Sequence, residues 1–234
     1  MKKKLLLVPL LVFSILCTSC DFVPINKLRM NRIMKIYDEA GYEQVEIDEI
    51  VDGFEDYSSN YRVDKDLEDG VYAVADTSRE IKRAFDGYGG LNLVASLFEY
   101  DKDMQQVCWF TRLEESYNSS TVLTGISIRY DSTREGEEYL DEAYDNLQDF
   151  DIEDIGPYYT DFEYDRDKDG LVECLTIRFS AEIEPYGEYE YYIGLYIQGR
   201  YAFILFGMDY GSTKCKRDIE DICDAIGVVS PTDL

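Results

Sequence analysis

The sequence predicts an α+β protein, an antiparallel sheet with helices packed on one face, built as an imperfect internal duplication of a helix plus three or four strands. Three observations carry this. Runs of alternating apolar and polar residues recur between short Gly- and Asp-bearing turns, which favours hairpins over parallel crossovers. Between them lie segments with apolar residues at i, i+3, i+4 and i+7, the stripe of a helix with one buried face. Finally, Tyr130-Asp-Ser-Thr-Arg134 and Tyr210-Gly-Ser-Thr-Lys214 each link a strand to a helix, and FEYDKDMQQVC (98–108) parallels FEYDRDKDGLVEC (162–174).

Met30, Ile33, Met34, Tyr37 and Ala40 give a helix over 28–40, ended by Gly41. A short strand is expected at Gln44–Ile47. Residues 51–69 are acidic and polar with no sustained period, and read as a surface loop or small insertion. Val71–Ala75 alternates as a strand. Thr77-Ser-Arg-Glu80 is a capping box opening a helix, which the glycines of 87–90 stop. Leu91–Tyr100 and Gln105–Leu113 read as a hairpin, followed by a strand at Thr121–Tyr130. Ser132-Thr-Arg-Glu135 is a second capping box, before a helix with Leu140, Ala143, Tyr144 and Leu147 on one face.

The second copy reads as a strand at Tyr158–Tyr164, a turn at Asp165–Gly170 and a strand at Leu171–Ala181. A hairpin of Glu188–Ile197 and Tyr201–Met208 follows. Ser212-Thr213 then caps a helix striped by Cys215, Ile219, Ile222, Cys223 and Ile226. The repeated units are about 78–131 and 132–228, and whether they share one sheet is open. Aligning them puts Trp109, Leu113, Leu175, Ile177 and Phe179 on the core face. Arg112 and Arg178 fall on the other face with Cys108 and Cys174.

The N-terminus carries the address. Lys2, Lys3 and Lys4 precede an apolar run from Leu5 to Leu16, too short to span a bilayer, and small residues follow. The ending Cys17-Thr18-Ser19-Cys20 resembles the lipobox of bacterial lipoproteins, with Cys17 where Leu is usual. The resemblance implies cleavage after residue 19 and lipidation of Cys20. It also implies acyl chains, palmitate among them, in the outer face of the cytoplasmic membrane. An ordinary secreted protein is the simpler alternative. On this reading residues 1–19 are a signal peptide, 20–27 the lipidated cysteine and a short tether, and 28–234 the globular region. Several acyl chains anchor firmly without help from protein charge.

Charge and composition narrow the function. The 234 residues include 49 acidic and 23 basic ones, a formal charge of −26, and the signal segment removes three of the lysines. Such a surface repels nucleic acid, which is excluded as a partner, and suits cationic ones. Hydrophobic residues make up 45% and tyrosines number 21, enough to fold a core. Histidine is absent, which removes the Ser-His and Cys-His nucleophile pairs and the usual zinc ligand sets.

Four cysteines follow Cys20: Cys108, Cys174, Cys215 and Cys223. In an exported protein they permit two disulfides. Cys215 and Cys223 lie about 12 Å apart along one helix, too far to bridge. Bridges would therefore pair Cys108 or Cys174 with that helix or with each other. Four buried free thiols is the simpler reading. Asp165-Arg-Asp-Lys-Asp-Gly170 resembles the short Asp-rich calcium loops that join strands. The resemblance implies calcium held by Asp165, Asp167 and Asp169, the Leu171 carbonyl and Glu173. The same residues also read as a plain hairpin turn at Asp169-Gly170, which is simpler.

The sequence thus points to a non-catalytic binding or interaction module on the cell envelope, its partner an envelope protein, a cationic ligand or a glycan. A carboxylate-dependent hydrolase of glycosidase type and an accessory subunit of an envelope transport or export complex are the alternatives. Calcium is the one cofactor suggested, and no catalytic residue is singled out.

Overall fold

A computed structural model describes residues 26–60, 65–88, 102–116, 119–148, 158–183 and 187–234. Eight strands form one sheet: β1 (Glu43–Gln44), β2 (Val71–Ala75), β3 (Met104–Ser116), β4 (Ser119–Tyr130), β5 (Tyr159–Asp169), β6 (Val172–Ile183), β7 (Gly187–Gln198) and β8 (Tyr201–Tyr210). Their order is β1-β2-β3-β4-β8-β7-β6-β5, and every neighbouring pair is antiparallel except β1 with β2. The expectation of a mainly antiparallel sheet therefore holds, and the sheet is single.

Helices cover both faces, which corrects the expectation of one. The Trp109 face carries Val107, Trp109, Ile126, Ile204, Leu195 and Ile177. It lies under α2 (Ile47–Asn60), α3 (Lys65–Asp69), α4 (Ser78–Tyr88) and α5 (Arg134–Gln148). The Cys108 face carries Cys108, Phe110, Leu123, Phe203, Tyr196 and Cys174. It lies under α1 (Met30–Glu39), α6 (Lys214–Ile226) and a 3₁₀ turn at Pro231–Asp233. The physical reason is that the strands are apolar on both sides. Leu113, Leu175, Ile177 and Phe179 are buried on the first face as alternation predicted, and the cysteines on the second are buried too.

The two copies do not build the same unit. The outer neighbour of β3 at residues 107–111 is β2, whereas β6 takes β5. The two Tyr-x-Ser-Thr linkers leave the adjacent strands β4 and β8 and send α5 and α6 to opposite faces. The strand expected at 91–100 lies outside the described residues.

Residues 51–69, read as a loop, are mostly helical. The stripe Ile47, Ile50 and Val51 begins before the boundary that sequence suggested, and Asp48 and Glu49 sit favourably in the first turn. Gly53 marks close packing there and no break, for a Cβ on it would come 2.5 Å from Leu67 Cδ1. The first capping box is present: the Glu80 N–H donates to Thr77 Oγ1 and the Thr77 N–H to Glu80 Oε2, both at 3.3 Å. At α6 the Lys214 N–H donates to Ser212 Oγ at 3.0 Å, while Thr213 makes no side-chain cap.

Gly125 lies at the centre of the β4–β8 ladder. A Cβ there would stand 2.3 Å from Phe110 Cε1 and 2.8 Å from the Ile204 carbonyl oxygen. That oxygen cannot retreat without opening the ladder. Gly125→Ala is expected to cost about 1–3 kcal/mol, read as a lower urea midpoint. Gly207→Ala should cost less, because the atoms it meets, Ile219 Cδ1 and Cys215 Sγ, are side-chain ends.

Candidate functional site

Two acid–acid pairs stand side by side where β6, β7 and β8 reach one end of the sheet. Glu182 faces Glu188 across β6 and β7, and Glu190 faces Asp209 across β7 and β8. Strand alternation puts all four on the Cys108 face, and like charges placed directly opposite repel. Glu188, Glu190 and Asp209 line a cleft of about 500 Å³ with Gly211, Ser212 and Thr213.

The four carboxylates differ in exposure and in partners. Glu182 and Glu188 are exposed. Glu190 accepts from Arg178 Nη2 at 3.2 Å and from the Tyr192 hydroxyl at 2.7 Å. Asp209 is buried, accepting from the Thr121 hydroxyl at 3.0 Å and from the Lys216 N–H at 3.1 Å. Burial, and more weakly the nearby Glu190, push its carboxyl above the ordinary range. Asp209 thus shares with Ser212 the capping of the first turn of α6, which sequence assigned to Ser212-Thr213.

On the Trp109 face, the same strand ends carry half-buried tyrosines. Tyr189 stacks on Tyr210 at 4.7 Å between ring centres, and Phe179 on Tyr191 at 4.6 Å. Tyr159 meets both Phe179 and Tyr191. The rim therefore has an acidic side and an aromatic side. Sequence reasoning passed over it because acidic residues are common throughout the chain; the signal was the spacing Glu-x-Glu at 188–190 opposite Asp209.

The five residues suggested for calcium do not converge. Asp165, Asp167 and Asp169 lie in β5 itself, and the turn is reduced to Gly170-Leu171, with Gly170 at φ +64°. The three aspartates are spread along one strand face, about 6.6 Å between successive ones. Glu173 pairs with Lys168 across the hairpin, on the opposite face, and lies 3.7 Å from Arg166. Asp169 is bound by Lys27 at 2.6 Å, and Leu171 is exposed. The cause of the difference is register: pairing continues through 165–169, so alternation separates residues that a loop would gather. Among the described residues no group of three or more acidic or cysteine side chains is arranged to hold a metal ion.

Cys108, Cys174, Cys215 and Cys223 are buried free thiols. Cys108 in β3 and Cys174 in β6 are separated by β4, β8 and β7, about 19 Å of sheet, so they cannot bridge. Cys215 donates to the Val122 carbonyl at 3.3 Å, and Cys223 lies 3.6 Å from the Tyr196 hydroxyl. Burial raises the pKa of all four, which keeps them as unreactive thiols. Cys20 lies outside the described residues.

Fold and rim together define a class: an α+β domain with one mainly antiparallel sheet between two helical layers, and an acidic cleft at one end of it. No protein-family model matches this chain, and no curated protein matches it. Among solved structures, the extracellular domain of PknH from Mycobacterium tuberculosis is similar over 53% of this chain and 66% of that one, with 7% identity and a TM-score of 0.35. At that degree of likeness neither the activity nor the partners of that domain transfer. Among the described residues, no helix is long and apolar enough to cross a membrane.

Proposed function

We propose that the protein is an exported lipoprotein, anchored through Cys20 to the outer face of the cytoplasmic membrane, whose globular region is a non-catalytic module that binds a cationic partner, such as a basic segment of another envelope protein. The observation that carries the binding part is the pair of directly opposed acid–acid neighbours, Glu182 with Glu188 and Glu190 with Asp209. Their repulsion costs stability in the free protein and is relieved by a cation. Glu190 and Asp209 already hold internal partners, Arg178 and Tyr192 on Glu190 and Thr121 and α6 on Asp209. That favours binding at the exposed Glu182 and Glu188 over acid–base chemistry. The N-terminal run and Cys20 support the anchor.

The test is titration with a short lysine-rich peptide at low and at half-molar salt. Glu182→Gln with Glu188→Gln is expected to weaken binding about 3- to 10-fold. Glu43→Gln with Glu46→Gln, which changes net charge equally on exposed residues elsewhere, should have little effect. Equal losses in the two double variants would refute the site.

A further inference from the structure

The chain enters the described domain at the end of the sheet opposite the acidic rim. Asn26 Nδ2 donates to the Gln198 carbonyl at 3.4 Å, and the Lys27 N–H donates to the Gln198 side-chain oxygen. The Lys27 ammonium holds Asp169 at 2.6 Å and the Gly227 carbonyl. Those partners mark the last residue of β7, the tip of the β5–β6 hairpin and the end of α6. At the same end project the Gly199-Arg200 turn and Leu171, an apolar side chain 55% exposed.

Tyr158, 61% exposed, stands at the far end of the same hairpin, where its carbonyl accepts from the Glu182 N–H at 3.0 Å. From Leu171 to Tyr158 the strands run roughly 35 Å. The residues from Cys20 to Lys27 reach at most about 25 Å when fully extended. A lipid on Cys20 therefore cannot let the domain stand upright with its rim end on the bilayer. At the entry end the lysines are paired, Lys27 with Asp169 and Lys168 with Glu173, and the Gly199-Arg200 turn adjoins Asp131, so the tether and not charge separates the two ends.

We infer that the domain rests on the lipid surface through its β5–β6 and β7–β8 turns, with Leu171 as the apolar contact, and holds the acidic rim away from the membrane. This rests on the anchor proposed above. The full lipidated chain in phosphatidylcholine–phosphatidylglycerol vesicles tests it. A bimane label is placed on Leu171→Cys or on Tyr158→Cys; the four native thiols downstream of Cys20 are buried and do not compete. Quenching by headgroup spin-labelled lipid is expected to be several-fold stronger at position 171 than at 158. Equal quenching, or stronger quenching at 158, overturns the orientation even where the anchor holds. Flotation of wild type and Cys20→Ala reads the anchor separately. If the variant floats as well as wild type, or wild type does not float, the anchor fails and the orientation with it.

Discussion

Raising the pH from 9 to 11 is expected to unfold the protein in one steep step. Tyr37, Tyr42, Tyr72, Tyr192 and Tyr196 are buried and Tyr191 is half-buried. Burial raises the pKa of each, with Tyr72 pushed up to about 12. Tyr72 and Tyr192 also donate to the carboxylates of Asp38 and Glu190, at 2.6 and 2.7 Å, which disfavours a second negative charge there. Among the thiols, Cys223 is pushed up to about 12 by burial, and Cys108, Cys174 and Cys215 are raised for the same reason.

These groups are neutral when protonated, and their folded values lie above their unfolded ones. The stability they confer is complete below about pH 9 for the thiols and pH 10 for the tyrosines. It is lost as the pH climbs toward the folded values. Each proton that the folded state keeps and the unfolded state releases lowers stability by about 1.4 kcal/mol per pH unit. Several acting together exhaust a typical 5–15 kcal/mol within one or two units. Far-UV circular dichroism and tyrosinate absorbance near 295 nm should therefore change together. Dichroism still intact at pH 11 would overturn the prediction.

Trp109→Ala should cost about 3–5 kcal/mol, the largest single-residue effect expected in the core. The indole is fully buried, and its Nε1–H donates to Thr124 Oγ1 at 2.8 Å. Thr124 in turn donates to the Phe110 carbonyl at 2.9 Å, so the indole completes a short chain between β3 and β4. Trp109→Phe keeps most of the volume and loses the donor, and should cost about 1–2 kcal/mol. Urea midpoints followed by circular dichroism check both. A cost under 1 kcal/mol for the alanine variant would mean that the indole is not held in the core.

Local pattern made much of the fold legible. The α6 stripe of Cys215, Ile219, Ile222, Cys223 and Ile226 is buried as spaced, and so is Leu140 in α5. The Thr77–Glu80 box opens α4, and β3, β4, β7 and β8 fall where alternation put them. The failures share a cause. The hairpin at 158–181 is present, but the turn read at Asp165–Gly170 shrinks to Gly170-Leu171, because pairing with β6 runs on to Asp169 against the low strand preference of aspartate. Residues 51–69 read as a loop because they are acidic and polar without a sustained period, yet Gly53 makes room for Leu67, a residue of another helix. The acidic rim was illegible because opposition across strands, and not composition, is what makes Glu182, Glu188, Glu190 and Asp209 a group.

By itself the sequence determined which segments are helices and strands where a stripe or an alternation ran unbroken, the side of each strand on which Trp109, Cys108, Arg112 and Arg178 lie, and the absence of histidine chemistry. These are properties of near neighbours along the chain, set by side-chain period and by composition. Only the tertiary structure decided that both faces are covered, that β4 and β8 meet at the centre, and that FEYDRDKDGLVEC extends as two paired strands with no loop to gather its carboxylates. Those outcomes depend on which distant strand pairs with which and in what register, and the free energy that selects them comes from contacts between residues far apart in sequence.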